Sequence, residues 1–217
     1  MTQFEYLRPH SRTGLLRLSD VGKVADKLKQ GSLAILPTET GYMLAALATS
    51  TTAIKRAFSV KERDTSNVMH VACNSLDMAG AIGILRERSI RLLGELTPGP
   101  VTVIVDKTPL LPDHLVALNG TVGIRIPDHP ATLQIIGEVG APVTATSLNS
   151  SGSEAVSIDQ ADLQLLNWPA SEVIYVLEDD VPIAYSTPST LVRVTGEAVE
   201  ILRAGPVAES EIRRVAG

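Results

Sequence analysis

Apolar residues along this chain form two kinds of pattern: short continuous runs, and stretches in which they recur every three or four positions. Val21, Val24, Ala25 and Leu28 follow the helical period, with Ser19 placed to cap the helix and Gly31 to end it. Residues 33–36 are continuously apolar and stop at Pro37, as expected of a buried strand. A second helix is expected from Thr51 or Thr52, burying Ile54, Ala57 and Phe58. A strand follows at 68–73, then a helix capped by Ser75, then a helical face of Ile90, Leu93 and Leu96 that Pro98 and Gly99 break. Further strands are expected at 101–105, 123–126 (ended by Pro127), 143–146 and 173–177, with helices at 131–139 and 161–166. The runs 190–194 and 198–202 flank Thr195-Gly196-Glu197, a hairpin signal. Helices alternating with short apolar strands imply an α/β fold, and the closing hairpin implies a mixed sheet. No repeat, low-complexity tract or linker divides the sequence, so residues 1–217 are expected to form a single domain.

Composition narrows the picture. Apolar residues make up 44% and charged residues 20% of the 217, enough for a full core, while only 3% are aromatic. The core must therefore be built from Leu, Ile, Val and Ala, as in buried sheets. A net charge of -5 argues against broad non-specific nucleic-acid binding, which needs a basic face, but leaves room for a local basic pocket. The single cysteine, Cys73, excludes an internal disulfide and a cysteine-rich zinc site. His10, His70, His114 and His129 lack metal-ligand spacing, so no structural metal is expected. Residues 1–17 are polar, unlike a signal peptide, and no stretch approaches the roughly 18 apolar residues of a membrane helix. A cytoplasmic protein without a membrane segment is the expectation.

Five polar clusters sit at strand ends or turns, where α/β sheets hold ligands. Pro37-Thr38-Glu39-Thr40-Gly41-Tyr42 offers hydroxyls and backbone N–H groups to a carboxylate or phosphate, or is simply a capped turn between strand and helix. Lys61-Glu62-Arg63, with Asn67 beyond it, presents alternate cations suited to a triphosphate, or is a solvated charged loop. Pro98-Gly99-Pro100-Val101-Thr102 reads as a rigid turn, with Thr102 half-buried in the strand. Arg125 lies between Ile124 and Ile126, so an inward guanidinium needs an anion: a substrate carboxylate, Asp128, or another core acid. His129, before Pro130, reads as a surface helix cap. Thr146-Ser147-Leu148-Asn149-Ser150-Ser151-Gly152 is either a phosphate or ribose cradle or a flexible loop.

Taken in order, these segments resemble the YrdC-like family, which includes the YciO branch. The resemblance rests on Pro37-Thr38-Glu39-Thr40, Lys61-Glu62-Arg63, Pro98-Gly99-Pro100-Val101-Thr102, Arg125-Ile126-Pro127, Ser147-Leu148-Asn149 with Gly152, Pro188-Ser189-Thr190, and Ile201-Leu202-Arg203 with Gly205. It implies a twisted mixed β-sheet surrounded by helices and enclosing a concave basic pocket. It implies an L-threonylcarbamoyladenylate synthase that joins L-threonine, bicarbonate and ATP, with Mg2+, and releases pyrophosphate. The product would pass to partner proteins that modify tRNA. Carried over by motif, Thr40, Arg125, Ser147 and Ser189 would face threonine; Lys61, Arg63, Asn67, Asn149, Ser157 and Arg203 would face ATP, with Lys61 and Arg63 closest to the chemistry.

Two branches of the family remain open at this point. Lys61, Arg63 and Asn149 are similar to the synthase branch, whereas Gly41-Tyr42 and Thr146-Ser147-Leu148 are similar to the YciO branch, and Asp64 stands where a proline usually follows Lys-x-Arg. A YciO-like protein of weak or altered activity, or a non-catalytic protein that binds nucleotide or RNA in the same pocket, are the alternatives.

Overall fold

In the computed structural model the described residues are 2–61, 69–113, 117–148, 163, 166–169, 172–178, 183–196 and 198–217. Among these residues eleven strands form one mixed sheet: β1 Gln3–Leu7, β2 Ala34–Thr38, β3 Gly41–Ala45, β4 His70–Ala72, β5 Val101–Asp106, β6 Ala117–Leu118, β7 Thr121–Arg125, β8 Val143–Ser147, β9 Val173–Leu177, β10 Thr190–Thr195 and β11 Ala198–Arg203. Their spatial order is β1-β9-β2-β3-β8-β4-β7-β5-β10-β11, with β6 paired to β7. The sheet contains both parallel pairs (among them β1 with β9, β4 with β7, β5 with β10) and antiparallel ones (among them β2 with β3, β5 with β7, β10 with β11). The mixed α/β sheet expected from the sequence is present.

Both faces of the sheet are covered, and the alternation of side chains explains the continuous apolar runs. Ala34, Leu36, Met43, Ala45, Tyr175 and Leu177 point to one core, shared with Val21, Val24 and Leu28 of α1 (Leu18–Lys29) and Ile135 and Ile136 of α5 (Pro130–Val139). Their neighbours Ile35, Leu44, Ile174 and Val176 point to the other. That second core takes in α2 (Thr51–Val60), α3 (Leu76–Ile82), α4 (Glu87–Leu96) and α6 (Glu209–Ala216). Ile54, Ala57 and Phe58 are buried as their period requires, and Ser50 and Ser75 cap α2 and α3 by accepting from Ala53 N and Met78 N.

Several local expectations are corrected. Ser19 lies inside the first turn of α1, whose N-cap is Arg17. β2 does not stop at Pro37 but continues to Thr38, because among the described residues β9 pairs with β2 only at Ala34 and Ile35, and from Leu36 on β2 has β3 as its one strand neighbour. Proline is tolerated where a strand flank is unpaired. The segment after Pro37 turns into another strand, not a helix. Ile90 is 44% exposed, and Ser89, Leu92 and Leu93 form the buried face of α4. The helix expected at 161–166 lies almost wholly outside the described residues. None of the described helices is long and apolar enough to cross a membrane.

Candidate active site

The sheet brings the ends of seven strands (β2, β3, β4, β5, β7, β8 and β11) together around a cavity. Register does much of this: Arg203 of β11 pairs with Leu191 of β10, and Leu191 pairs with Thr102 of β5. β5 then runs antiparallel to β7, at whose end stands Arg125. On the other flank, the start of β3 and the end of β8 meet where Met43 pairs with Ser147. The cavity, of about 170 Å³, is lined by Thr40, Arg125, Ser147, Ser189 and Arg203, with His70 and Thr102 among its further walls. Thr40, Arg125, Ser147 and Ser189 were all expected at one ligand and are brought together. Arg203, expected at the nucleotide, lines the same cavity. Arg63, Asn67, Asn149 and Ser157 lie outside the described residues.

Thr38-Glu39-Thr40-Gly41 closes a tight hairpin between β2 and β3, with Gly41 at φ 116°, a left-handed value that favours glycine. The Thr38 hydroxyl donates to the Gly41 carbonyl at 2.7 Å. That spends its single proton, so in the 3.3 Å contact between Thr38 and Thr40 hydroxyls Thr40 is the donor. Thr40 Oγ1 is left with lone pairs, and Arg125 Nη2 donates to it at 3.2 Å. A side chain that looked like a generic donor is thus set up as an acceptor.

Arg125 is 8% exposed and Glu39 7% exposed. Arg125 Nη2 lies 2.7 Å from Glu39 Oε1, and the other carboxylate oxygen accepts from Asp128 N at 2.9 Å. Of the partners left open by the sequence, the core acid is Glu39; Asp128 contributes its backbone. Breaking a buried pair of this kind by removing one member costs about 3–5 kcal/mol. Arg125 Nε is buried without a hydrogen-bond partner among the described residues, so the guanidinium has donor capacity left over.

Arg203 is supported differently. Its Nε and Nη2 both donate to the Ser189 carbonyl, at 3.1 and 2.9 Å, and Nη2 reaches the Ser189 hydroxyl at 3.3 Å. Ser189 Oγ is fixed in turn by Thr102 Oγ1 at 2.8 Å. The chain returning after β11 presses against this point: a Cβ on Gly205 would meet Thr190 N at 2.4 Å and Pro188 O at 2.6 Å. Burial, and secondarily the nearby Arg125 charge, pull the Arg203 guanidinium below its ordinary value. Both effects are relieved by a bound anion.

Lys61, the C-cap of α2, donates its ammonium to the Ser147 carbonyl and so stands beside the same cavity. His70 lines the wall because Gly123 gives it room: a Cβ there would sit 2.1 Å from His70 Nδ1. His129 caps α5, accepting from Thr132 N at 3.3 Å, but it is 7% exposed and not a surface residue. Thr102, expected half-buried, is fully enclosed. Glu39 and Thr102 were visible only as members of polar turns; nothing in the spacing marked either as an arginine support. Among the described residues no three His, Cys, Asp or Glu side chains are grouped to hold a metal.

The family model for Sua5, YciO and YrdC proteins, described as "Telomere recombination", matches residues 26–205. A protein of Mycobacterium leprae, provisionally described as a threonylcarbamoyl-AMP synthase, is 32% identical over 203 residues, covering 93% of this chain and 90% of its own. P. abyssi Sua5, solved in complex with L-threonine, superposes with a TM-score of 0.85 at 24% identity, over 99% of this chain but only 61% of that longer one. E. coli YciO superposes with a TM-score of 0.81 at 21% identity, over 98% of this chain and 100% of its own. At those identities the solved structures establish the fold. The chain belongs to the Sua5/YciO/YrdC family.

Proposed function

We propose that this protein is an L-threonylcarbamoyladenylate synthase. It joins L-threonine, bicarbonate and ATP, the last as its magnesium complex, into threonylcarbamoyl-AMP and pyrophosphate. The observation that carries the reading is a small cavity in which two arginines converge on short hydroxyl side chains, with one of them, Arg125, paired to the buried carboxylate of Glu39. Its volume of about 170 Å³ is below the roughly 300–1,000 Å³ of pockets for drug-sized ligands. An amino acid suits that space better than a whole nucleotide. Its carboxylate would meet Arg125, its amine the lone pairs of Thr40 Oγ1, and its side chain the hydroxyls of Ser147 and Ser189.

In this reading the threonine nitrogen attacks the carbon of bicarbonate, and loss of water gives a carbamate. A carbamate oxygen then attacks the α-phosphorus of ATP, and pyrophosphate leaves with the electron pair of the broken P–O bond. No protein nucleophile is required; the site must align the reactants and offset negative charge. Arg203 and Lys61 stand beside the cavity for that purpose. Arg63, Asn67, Asn149 and Ser157 complete the nucleotide contacts by motif. The product's consumer would be a cytoplasmic tRNA-modifying partner that builds threonylcarbamoyladenosine. The synthase designation of the M. leprae relative at 32% identity supports this branch. The E. coli YciO sequence is 24% identical over 76% of this chain.

The test is pyrophosphate release from ATP and bicarbonate with a panel of amino acids, with products identified by mass spectrometry. Threonine should lead. Serine, which lacks one methyl, should lose about 1–3 kcal/mol, and valine should be rejected more strongly because it leaves buried polar groups unpaired. Release without any amino acid would overturn the reaction. ATP binding without threonine-dependent release would point to altered, YciO-like activity, and salt-sensitive RNA binding without turnover to a non-catalytic role.

A further inference from the structure

We propose that Glu39 is a positioning residue for amino-acid recognition. It holds the Arg125 guanidinium in place at the cavity wall, ready for the substrate carboxylate. The inference rests on the synthase reading given above and adds to it a residue that touches Arg125 and not the substrate.

A long arginine side chain at the mouth of a cavity has many rotamers, and binding a carboxylate requires ordering it. Here the order exists before any ligand arrives. Nη2 is held at two points, by Glu39 Oε1 at 2.7 Å and Thr40 Oγ1 at 3.2 Å. Glu39 is itself fixed at its second oxygen by Asp128 N at 2.9 Å. The hairpin beneath it is fixed by the Thr38 hydroxyl on Gly41 O and by Tyr185 N on Glu39 O at 3.0 Å. These contacts tie the β2–β3 hairpin that carries the carboxylate to β7, to the turn before α5 and to the strand connection that leads into Ser189.

Two further facts separate positioning from simple neutralisation. Glu39 takes only the Nη2 corner, and Arg125 Nε keeps no partner among the described residues. A salt bridge built for stability alone would use the bidentate fork that arginine offers to a carboxylate. Arg203, meanwhile, has no carboxylate partner among the described residues, so the cavity stays net cationic with Glu39 in place. The acid therefore orients one cation without cancelling the attraction of the pair for an incoming anion.

The test is steady-state pyrophosphate release by the full chain, with threonine and ATP varied separately. Glu39→Gln keeps the shape and removes the charge. Its KM for threonine should rise roughly ten- to a hundredfold, the size of losing one charge-assisted contact, with KM for ATP within about twofold. In an Arg125→Met background the same substitution should change threonine KM by less than about twofold, because the two residues act as a unit. Glu39→Asp, which keeps the charge but withdraws it by one methylene, covers the case in which Glu39→Gln does not fold. It should raise threonine KM about three- to tenfold and leave KM for ATP alone. An unchanged threonine KM in either single variant overturns the assignment, as does additivity with Arg125→Met. A wild-type protein that releases no pyrophosphate on threonine would overturn the synthase reading itself, and this assignment with it.

Discussion

The two arginines of the cavity reach the same space by opposite means. Arg125 comes from a central strand, is almost fully buried, and is paired with a buried carboxylate. Arg203 comes from the end of the last strand, is exposed, and among the described residues is held by the carbonyl and hydroxyl of Ser189. A carbonyl supplies geometry without neutralising charge. The first side is thus a fixed anchor that belongs to the core, and the second a partly desolvated cation whose charge no carboxylate among the described residues neutralises. Stability should depend on the first side and anion affinity on the second.

The sharpest way to break that contrast is to remove Arg125. Arg125→Met leaves the Glu39 carboxylate buried without its cation, and should destabilise the fold by about 3–5 kcal/mol, read as a lower urea midpoint. The paired change Glu39→Met/Arg125→Met should recover most of that loss, since apolar groups of similar volume replace a buried pair at little cost. It should not recover the wild-type KM for threonine. If Arg125→Met were as stable as the wild type, the anchor side would not be part of the core.

On the other side, Arg203→Ala should change stability by less than about 1 kcal/mol. Its effect belongs in ligand binding: ATP affinity measured by calorimetry should weaken by about 1.5–3 kcal/mol, as for one charge-assisted contact. A large loss of stability with unchanged ATP affinity would reverse the roles assigned to the two arginines. A smaller effect tests the wall beneath the anchor. Gly123→Ala puts a methyl where His70 Nδ1 now lies, at 2.1 Å from the ideal Cβ. Overpacking of that kind costs about 1–3 kcal/mol, and a thermal-unfolding midpoint equal to the wild type would show that His70 is free to move aside.

The contrast also explains what was legible in the sequence. Strands such as β5 and β9 announce themselves as apolar, β-branched runs, and the hairpin of β10 and β11 through Gly196, which takes φ 56°. β3 was missed because both of its faces are buried, so Gly41–Ala45 shows no alternation and merges with the apolar run after it. β1 was missed because it is an edge strand, with mixed exposure and a polar sequence. At the site, Arg125 stood out because a cation between two isoleucines demands a partner. Which partner was not readable: Glu39 is 86 residues away and becomes a neighbour only through the order of strands β3-β8-β4-β7. Thr102 was hidden for a related reason. A threonine in a strand is ordinary, and its contact with Ser189 exists only because β5 and β10 run side by side. The motif order still located most of the cavity wall, because sheet register places those strand ends in a row.

The dryness of the anchor side has a reporter of its own. Cys73 follows β4, and its backbone N–H donates to the carbonyl of Arg125 at 2.9 Å. Burial alone pushes its thiol from an ordinary value of 9.0 up to about 12. The thiol therefore stays protonated in the folded protein after it has begun to ionise in the unfolded chain. Between pH 9 and about 12 the unfolded state binds fewer protons, so stability falls as pH rises, by up to about 1.4 kcal/mol per pH unit from this group. Below pH 9 the contribution is fully present. Tyrosines and lysines titrate in the same window, so the wild-type curve alone is not diagnostic. Cys73→Ala removes only the thiol. Its unfolding free energy, subtracted from that of the wild type at each pH, should leave a difference that is flat below pH 9 and declines above it. A difference that stays constant to pH 11 would mean the thiol ionises equally in both states. The strand behind Arg125 would then be wet, and the anchor side would be no more a part of the core than Arg203.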